Sequence, residues 1–157
     1  MKLKANVTMT LKDSSGRIKE VHRYKNLVVD QGFDLINTLL RTGTGNFIGA
    51  LGIAWNDPDN AITLAVGDTD FQTPTHQDFK SGGALTVTRI DERNIQITAS
   101  WIAAEPTPGG SGFPVPIRGL GLYWGAAATQ IIAGKVFLPV NKESADILNV
   151  VYDIELA

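Results

Sequence analysis

Few side chains of this sequence have the types and spacing that catalysis or metal binding requires. The chain has two histidines and no cysteine, which excludes a disulfide, a thiolate nucleophile and a cysteine-ligated metal. His76 lies near Asp68, Asp70 and Asp78 in sequence, where oxygen ligands for a hard cation are conceivable, but the spacing is not that of the twelve-residue calcium loop. The other histidine, His22, is predicted to lie on the side of its strand that faces solvent. We therefore predict no metal site.

Nucleophilic catalysis would require a serine, a histidine and an acid around one reacting atom. Ser111 comes closest, but it lies between two glycines in a Pro/Gly-rich stretch without a following helix. The glycines of 43–49 follow a predicted helix and lead into a strand, which is the reverse of the dinucleotide-binding order. Asp57 and Asp59 occupy a predicted turn, where aspartate is common for local reasons. We predict no catalytic residue, no cofactor and no enzymatic activity.

The elements that would position any site are predicted to be strands. Residues 3–11 alternate between apolar and polar side chains, and turn residues at 13–16 lead into a returning run, so 3–24 is predicted to be a β-hairpin. Residues 31–41 carry apolar side chains at helical spacing and are predicted to form the one substantial helix. Further strands are predicted at 47–55, 62–66, 85–90, 95–102, 117–124, 131–138 and 147–155.

About eight or nine short strands predict a mainly β fold, a β-sandwich or jelly-roll-like arrangement. The stretches 67–83 and 104–116 are predicted to be loops that cross between two sheets. With 157 residues, of which 43% are hydrophobic, the chain suits a single domain over 1–157 with its own core. It contains no apolar run of about 18 residues, so no membrane span is predicted. Its start, MKLKANVTMTLKD, lacks the apolar stretch of a signal peptide, so none is predicted.

Charge is distributed unevenly along the chain, although the net charge is only −2. Residues 1–30 hold seven basic and three acidic side chains, a net charge of +4. A strand face exposed to solvent would explain this excess. A more specific interpretation is that this region is a docking element for an acidic surface of a partner. Because the basic residues are spread out, no nucleic-acid partner is predicted. The candidate docking residues are Lys2, Lys4, Lys12, Arg17, Lys19, Arg23 and Lys25.

Four segments together resemble a family of small virion proteins of tailed bacteriophages, described as tail or head accessory proteins. They are KNLVVDQGFDLINTLL (25–40), LAVGDTDFQTPTHQDF (64–79), IRGLGLYWG (117–125) and the closing strands of 133–156. The sequence departs from the family pattern at Arg118, where an acidic residue often precedes the Gly-Leu pair. The resemblance covers about residues 25–156. It implies a β-sandwich, frequent homo-oligomers and a place in the virion after assembly in the bacterial cytoplasm.

Within a virion, the lack of a shaft or an internal repeat disfavours a fibre. We expect a capsid decoration (cement) protein, favoured as a homotrimer, that binds the major capsid protein or other virion proteins and stabilises the assembled head. One alternative is a tail, baseplate or fibre-associated protein.

A second alternative is a module that binds a carbohydrate or receptor such as a host glycan. It predicts exposed aromatic side chains in the two long loops, with Phe71, Phe79 and Phe113 as candidates. The tryptophans are predicted to pack in the core, and at least two would have to be exposed together to bind sugar. These are Trp55, Trp101 and Trp124.

Overall fold

The computed structural model describes residues 3–28, 32, 48–125 and 130–156. Within them the protein is a β-sandwich of two five-stranded antiparallel sheets, which confirms the predicted fold class. Apart from Gly32, the predicted helix over 31–41 lies outside the described residues. The strands are β1 (Leu3–Lys12), β2 (Ile18–Lys25), β3 (Leu27–Val28), β4 (Ala50–Trp55), β5 (His76–Ser81), β6 (Thr86–Arg89), β7 (Asn94–Trp101), β8 (Val115–Trp124), β9 (Gln130–Lys142) and β10 (Ile147–Leu156), and a 3₁₀ turn spans Gly82–Ala84.

The strand order is β2-β1-β10-β7-β6 in the first sheet and β3-β9-β8-β4-β5 in the second. The chain passes from one sheet to the other after β2, β5, β7 and β9. The longest regular pairing joins the two ends of the described chain, because β1 runs antiparallel to β10 from Leu3↔Leu156 to Lys12↔Ile147. The hairpin predicted over 3–24 is confirmed as β1 and β2, and β2 forms one edge of the first sheet.

The main core lies between the two sheets. The alternation seen in the sequence places the odd residues of β1 from Ala5 to Leu11 inside, while its even residues face solvent or lie at half-buried positions. The predicted packing of two tryptophans is also confirmed, since Trp55 is 2% exposed and Trp101 is fully buried. The inward side chains of β1 are Ala5, Val7, Met9 and Leu11.

A second, smaller core lies on the outer face of the second sheet, beneath the segment 56–75. Ile62, Leu64 and Phe71 of this segment pack on the sheet together with Tyr123. Four glycines of the sheet make room for these side chains, and we call them the glycine floor. An added Cβ on any of them would lie less than 3 Å from a packed side chain. The glycine floor consists of Gly52, Gly119, Gly121 and Gly134.

The second core explains two predictions that were wrong. Residues 62–66 do not form a strand but only an isolated bridge between Thr63 and Gln72, because Ile62 packs on the glycine floor. The stretch 67–83 is not one loop that crosses between sheets, because it contains β5, which pairs with β4 in the same sheet as that strand. The crossing predicted within 104–116 is confirmed, since the chain changes sheets between β7 and β8.

We expect Gly52→Ala to destabilise the protein by about 1–3 kcal/mol, because its Cβ would overlap the packed ring of Phe79, 2.6 Å away. Equilibrium urea unfolding at neutral pH measures the change. Gly67→Ala is the matched control, because an added Cβ there meets no atom within 4 Å. The control should shift the free energy of unfolding by less than about 0.5 kcal/mol. Equal effects of the two substitutions would contradict this account of the glycine floor.

Candidate functional site

The predicted docking element is the hairpin of β1 and β2, and Asp13 organises its turn. The Asp13 carboxylate accepts the backbone N–H of Ser15 at 2.9 Å and that of Arg17 at 3.0 Å. The side-chain hydrogen bond from Ser15 is the main reason that the pKa of Asp13 is lowered to about 2. Gly16 completes the turn with a φ of +83°, which a glycine adopts without strain. The hairpin is therefore locally well defined.

The structure divides the predicted docking cations into two groups. Lys2 lies outside the described residues. Lys12, Arg23 and Lys25 form no ion pair with any side chain that the structure describes. The other three are held by carboxylates of the chain itself: Lys4 by Glu155 at 3.3 Å, Arg17 by Asp13 at 3.0 Å and Lys19 by Asp146 at 2.7 Å.

The three unpaired cations lie on the same face of the first sheet, its outer face. Arg23 is opposite Thr8 and Lys25 is opposite Asn6, and these β1 residues point away from the core, as does Lys12. Two apolar side chains share this face, with Ile18 62% exposed and Val21 40% exposed. We call the outward residues of β2 the β2 stripe, which consists of Ile18, Val21, Arg23 and Lys25.

The opposite side of β2 carries an aromatic stack that the sequence did not reveal. The ring of Tyr24 lies 5.1 Å from that of Phe137 and 6.0 Å from that of His22, parallel to both within 8°. The prediction that His22 faces solvent on the outer side was wrong, because His22 is opposite Met9, a core residue. The register shifts between Leu11 and Lys12. Side chains of β2 that the alternation in the sequence places outside therefore face the inner side.

A second group of polar residues brings Ser111 close to an acid and a histidine. Asp57 accepts the backbone N–H of Ser111 at 2.9 Å, and hydrogen bonds from the Ser111 side chain and backbone lower the pKa of Asp57. His76 stacks on Trp55 with ring centroids 5.4 Å apart, and both His76 and Asp57 line Gly109. Asp57 bonds to Ser111 itself, whereas a catalytic triad requires the imidazole between serine and acid. This contact anchors the loop before β8.

The groove next to this anchor is polar. It has a volume of about 430 Å³ and is lined by Asn56, Asp57, Pro58, Asp59, Asn60, Thr73 and Thr75. Among the aromatic candidates for carbohydrate binding, Phe71 is 4% exposed and belongs to the second core, while Phe79 and Phe113 are partly buried against the cores. Phe71 therefore offers no exposed ring for a sugar, and none of the described residues that line the groove is aromatic.

Charged side chains also join the two sheets at one end of the sandwich. Lys142 of β9 is fully buried, and its ammonium donates to the carbonyl oxygen of Ile102, just after β7, at 3.0 Å. Burial lowers the pKa of Lys142. On the edge of the first sheet, the hydrogen bond to Asp146 raises the pKa of Lys19. Lys19 thus contributes to the sandwich itself, which makes it a weaker candidate for docking than Arg23 or Lys25.

The comparisons with known proteins identify no family, since the chain matches no protein-family model, no curated protein and no solved structure. No group of three or more His, Asp or Glu side chains in the described ranges could hold a metal ion. In the same ranges, no helix is long and apolar enough to cross a membrane. One surface feature suited to recognition is the β2 stripe, where exposed apolar side chains lie beside cations that pair with no described side chain. Val87, Ile90 and Arg89 form a similar group at the opposite edge of the first sheet.

The anchor between Asp57 and Ser111 can be tested by pH. Because the pKa of Asp57 is depressed, its contribution to stability is present above the ordinary aspartate range and is lost as the pH falls through the lowered pKa. We expect the amide chemical shift of Ser111, followed by NMR, to titrate with a midpoint below 3.8, the usual aspartate value. Asp57→Ala should abolish that titration, and Asp59→Ala, which removes the partner of Arg118, should leave it in place. A midpoint at or above the usual value would contradict the anchor.

Proposed function

We propose that this chain is a structural protein of a tailed-bacteriophage particle, and within it a capsid decoration (cement) protein that stabilises the assembled head. The resemblance of residues 25–156 to small virion proteins supports this proposal. The sandwich fold also suits it, because such a protein acts through shape and contact and requires only a stable body with a docking surface. Symmetric self-association, as a trimer, is part of the proposal.

The observation that carries the proposal is the β2 stripe. Arg23 and Lys25 are exposed and have no ion-pair partner among the described side chains, and Val21 is exposed beside them. Surface cations that the fold does not neutralise remain available to a partner with an acidic surface. Exposed apolar side chains next to them add the area that a stable interface has to bury. An acidic patch on the outside of an assembled shell is the surface that this arrangement fits.

The same stripe would serve a tail or baseplate protein equally well, so the location within the particle needs its own experiment. Particles assembled without this protein should remain intact but break more readily on heating or on removal of salt. Electron microscopy and a nuclease-protection assay for released DNA measure this. Particles that lack tails would contradict a decoration role and move the proposal to the tail.

We expect the double substitution Arg23→Glu/Lys25→Glu to weaken attachment to particles that lack this protein by about tenfold or more, because it turns attraction into repulsion. Cosedimentation of the purified protein with such particles measures attachment. Added salt should weaken wild-type attachment, since these charges are solvent-exposed.

The matched control is Arg89→Glu/Arg93→Glu, which makes the same change in charge at the opposite edge of the first sheet, on and next to β6. The control should attach as the wild type does. If both double variants lose attachment equally, only the overall charge matters and the β2 stripe is not the docking surface. If the wild type does not attach to heads or tails, the proposed function is wrong.

A further inference from the structure

The β2 stripe lies on the longest edge strand of the sandwich. β2 has eight residues, whereas the other edge strands β5, β6 and β3 have six, four and two. No strand in the described part of the chain pairs with β2 on the side away from β1. An edge of this kind exposes backbone donors and acceptors that another strand can pair with.

The backbone groups that point to the open side can be identified from the hairpin register. Asn26 donates its N–H to the carbonyl oxygen of Ala5 at 2.8 Å, so these two residues form a hydrogen-bonded pair. In an antiparallel ladder such pairs alternate with pairs whose N–H and C=O groups point outward. Counting back along β2, the outward groups belong to Val21, Arg23 and Lys25. Together with Ile18, these are the residues whose side chains form the β2 stripe.

We propose that β2 accepts an extended segment of its partner as an additional strand of the first sheet, and that acidic and apolar side chains alternate along this segment. On the outer face the added strand would lie beside Arg23 and Lys25, which favour carboxylates opposite them. On the inner side it would lie beside His22 and Tyr24, whose stacked rings favour apolar side chains. This mode of binding is β-strand addition.

Charge also determines which partner fits this edge. If β2 paired with β2 of a second copy, the cations of the two β2 stripes would be brought together, and like charges in close pairs are unfavourable. Charge therefore disfavours another copy at this edge and favours an acidic strand. The identity of that partner as a capsid protein rests on the proposed function, whereas the chemistry of the strand does not.

A synthetic ten-residue peptide that alternates glutamate and valine serves as the probe. Amide hydrogen exchange of the full-length protein should slow at residues 21, 23 and 25 when this peptide is added. The same peptide with two of its residues replaced by proline should give no protection, because it cannot form the ladder. Absence of protection along β2 with the alternating peptide would overturn the proposal.

Val21→Pro separates pairing of the backbone from attraction between side chains. Proline at position 21 removes an N–H that points outward, a change that edge strands tolerate, and it leaves Arg23 and Lys25 in place. We expect Val21→Pro to bind the alternating peptide about tenfold more weakly than Val21→Ala, which keeps the N–H. Circular dichroism and urea unfolding establish that both variants are folded. Equal binding by these two variants would overturn strand addition.

Failure of this inference can be distinguished from failure of the proposed function. If the wild type attaches to particles and Val21→Pro attaches equally well, strand addition is wrong and the particle role stands. If the alternating peptide protects β2 and no particle binds the wild type, strand addition stands and the particle role is wrong. The hydrogen-exchange measurement on the wild-type protein tests the edge even if Val21→Pro does not fold.

Discussion

The pairing of β1 with β10 is the interaction on which the rest of the structure depends. It joins the two ends of the described chain along ten residue pairs and places β10 at the centre of the first sheet, where it also pairs with β7. The inward residues of these strands close one side of the main core, and each fully buried large apolar side chain contributes about 1.5–3 kcal/mol. Because β1 has β10 on one side, β2 can lie only on the other, where it becomes the edge of the sheet.

The charges of the hairpin have different roles because their surroundings differ. The pair between Lys4 and Glu155 is about half exposed, and such pairs contribute about 0–1 kcal/mol. The carboxylate of Asp146, by contrast, is nearly buried and also accepts the backbone N–H of Glu143, so Lys19 completes a small network there. The cations of the β2 stripe have neither kind of partner within the described chain. They therefore contribute little to the stability of the sandwich and remain available for recognition.

The second core shows why part of the fold was predictable from the sequence and part was not. The sequence predicts a strand over 117–124, and β8 is that strand. After a register shift between Ile117 and Gly119, Leu120 and Leu122 lie in the main core, and Gly119 and Gly121 lie on the outer face. The sequence does not reveal what covers those glycines, because Phe71, which packs on both, lies about fifty residues earlier and belongs to no regular element. For the same reason the sequence does not predict β5, in which Phe79 is the one large apolar residue.

The sequence by itself determined the sandwich class, the hairpin, the positions of most strands and the excess of positive charge near the beginning of the chain. Each of these follows from side-chain periodicity or composition within a short window, where the pattern alone decides which side chains are buried. The tertiary structure decided which of the cations are neutralised, on which side of β2 His22 lies, and that Ser111 meets Asp57. Such contacts depend on strand register and on residues far apart in the chain, as with Lys19 and Asp146, which are 127 positions apart. No local pattern encodes that distance, so folding alone brings the two charges together.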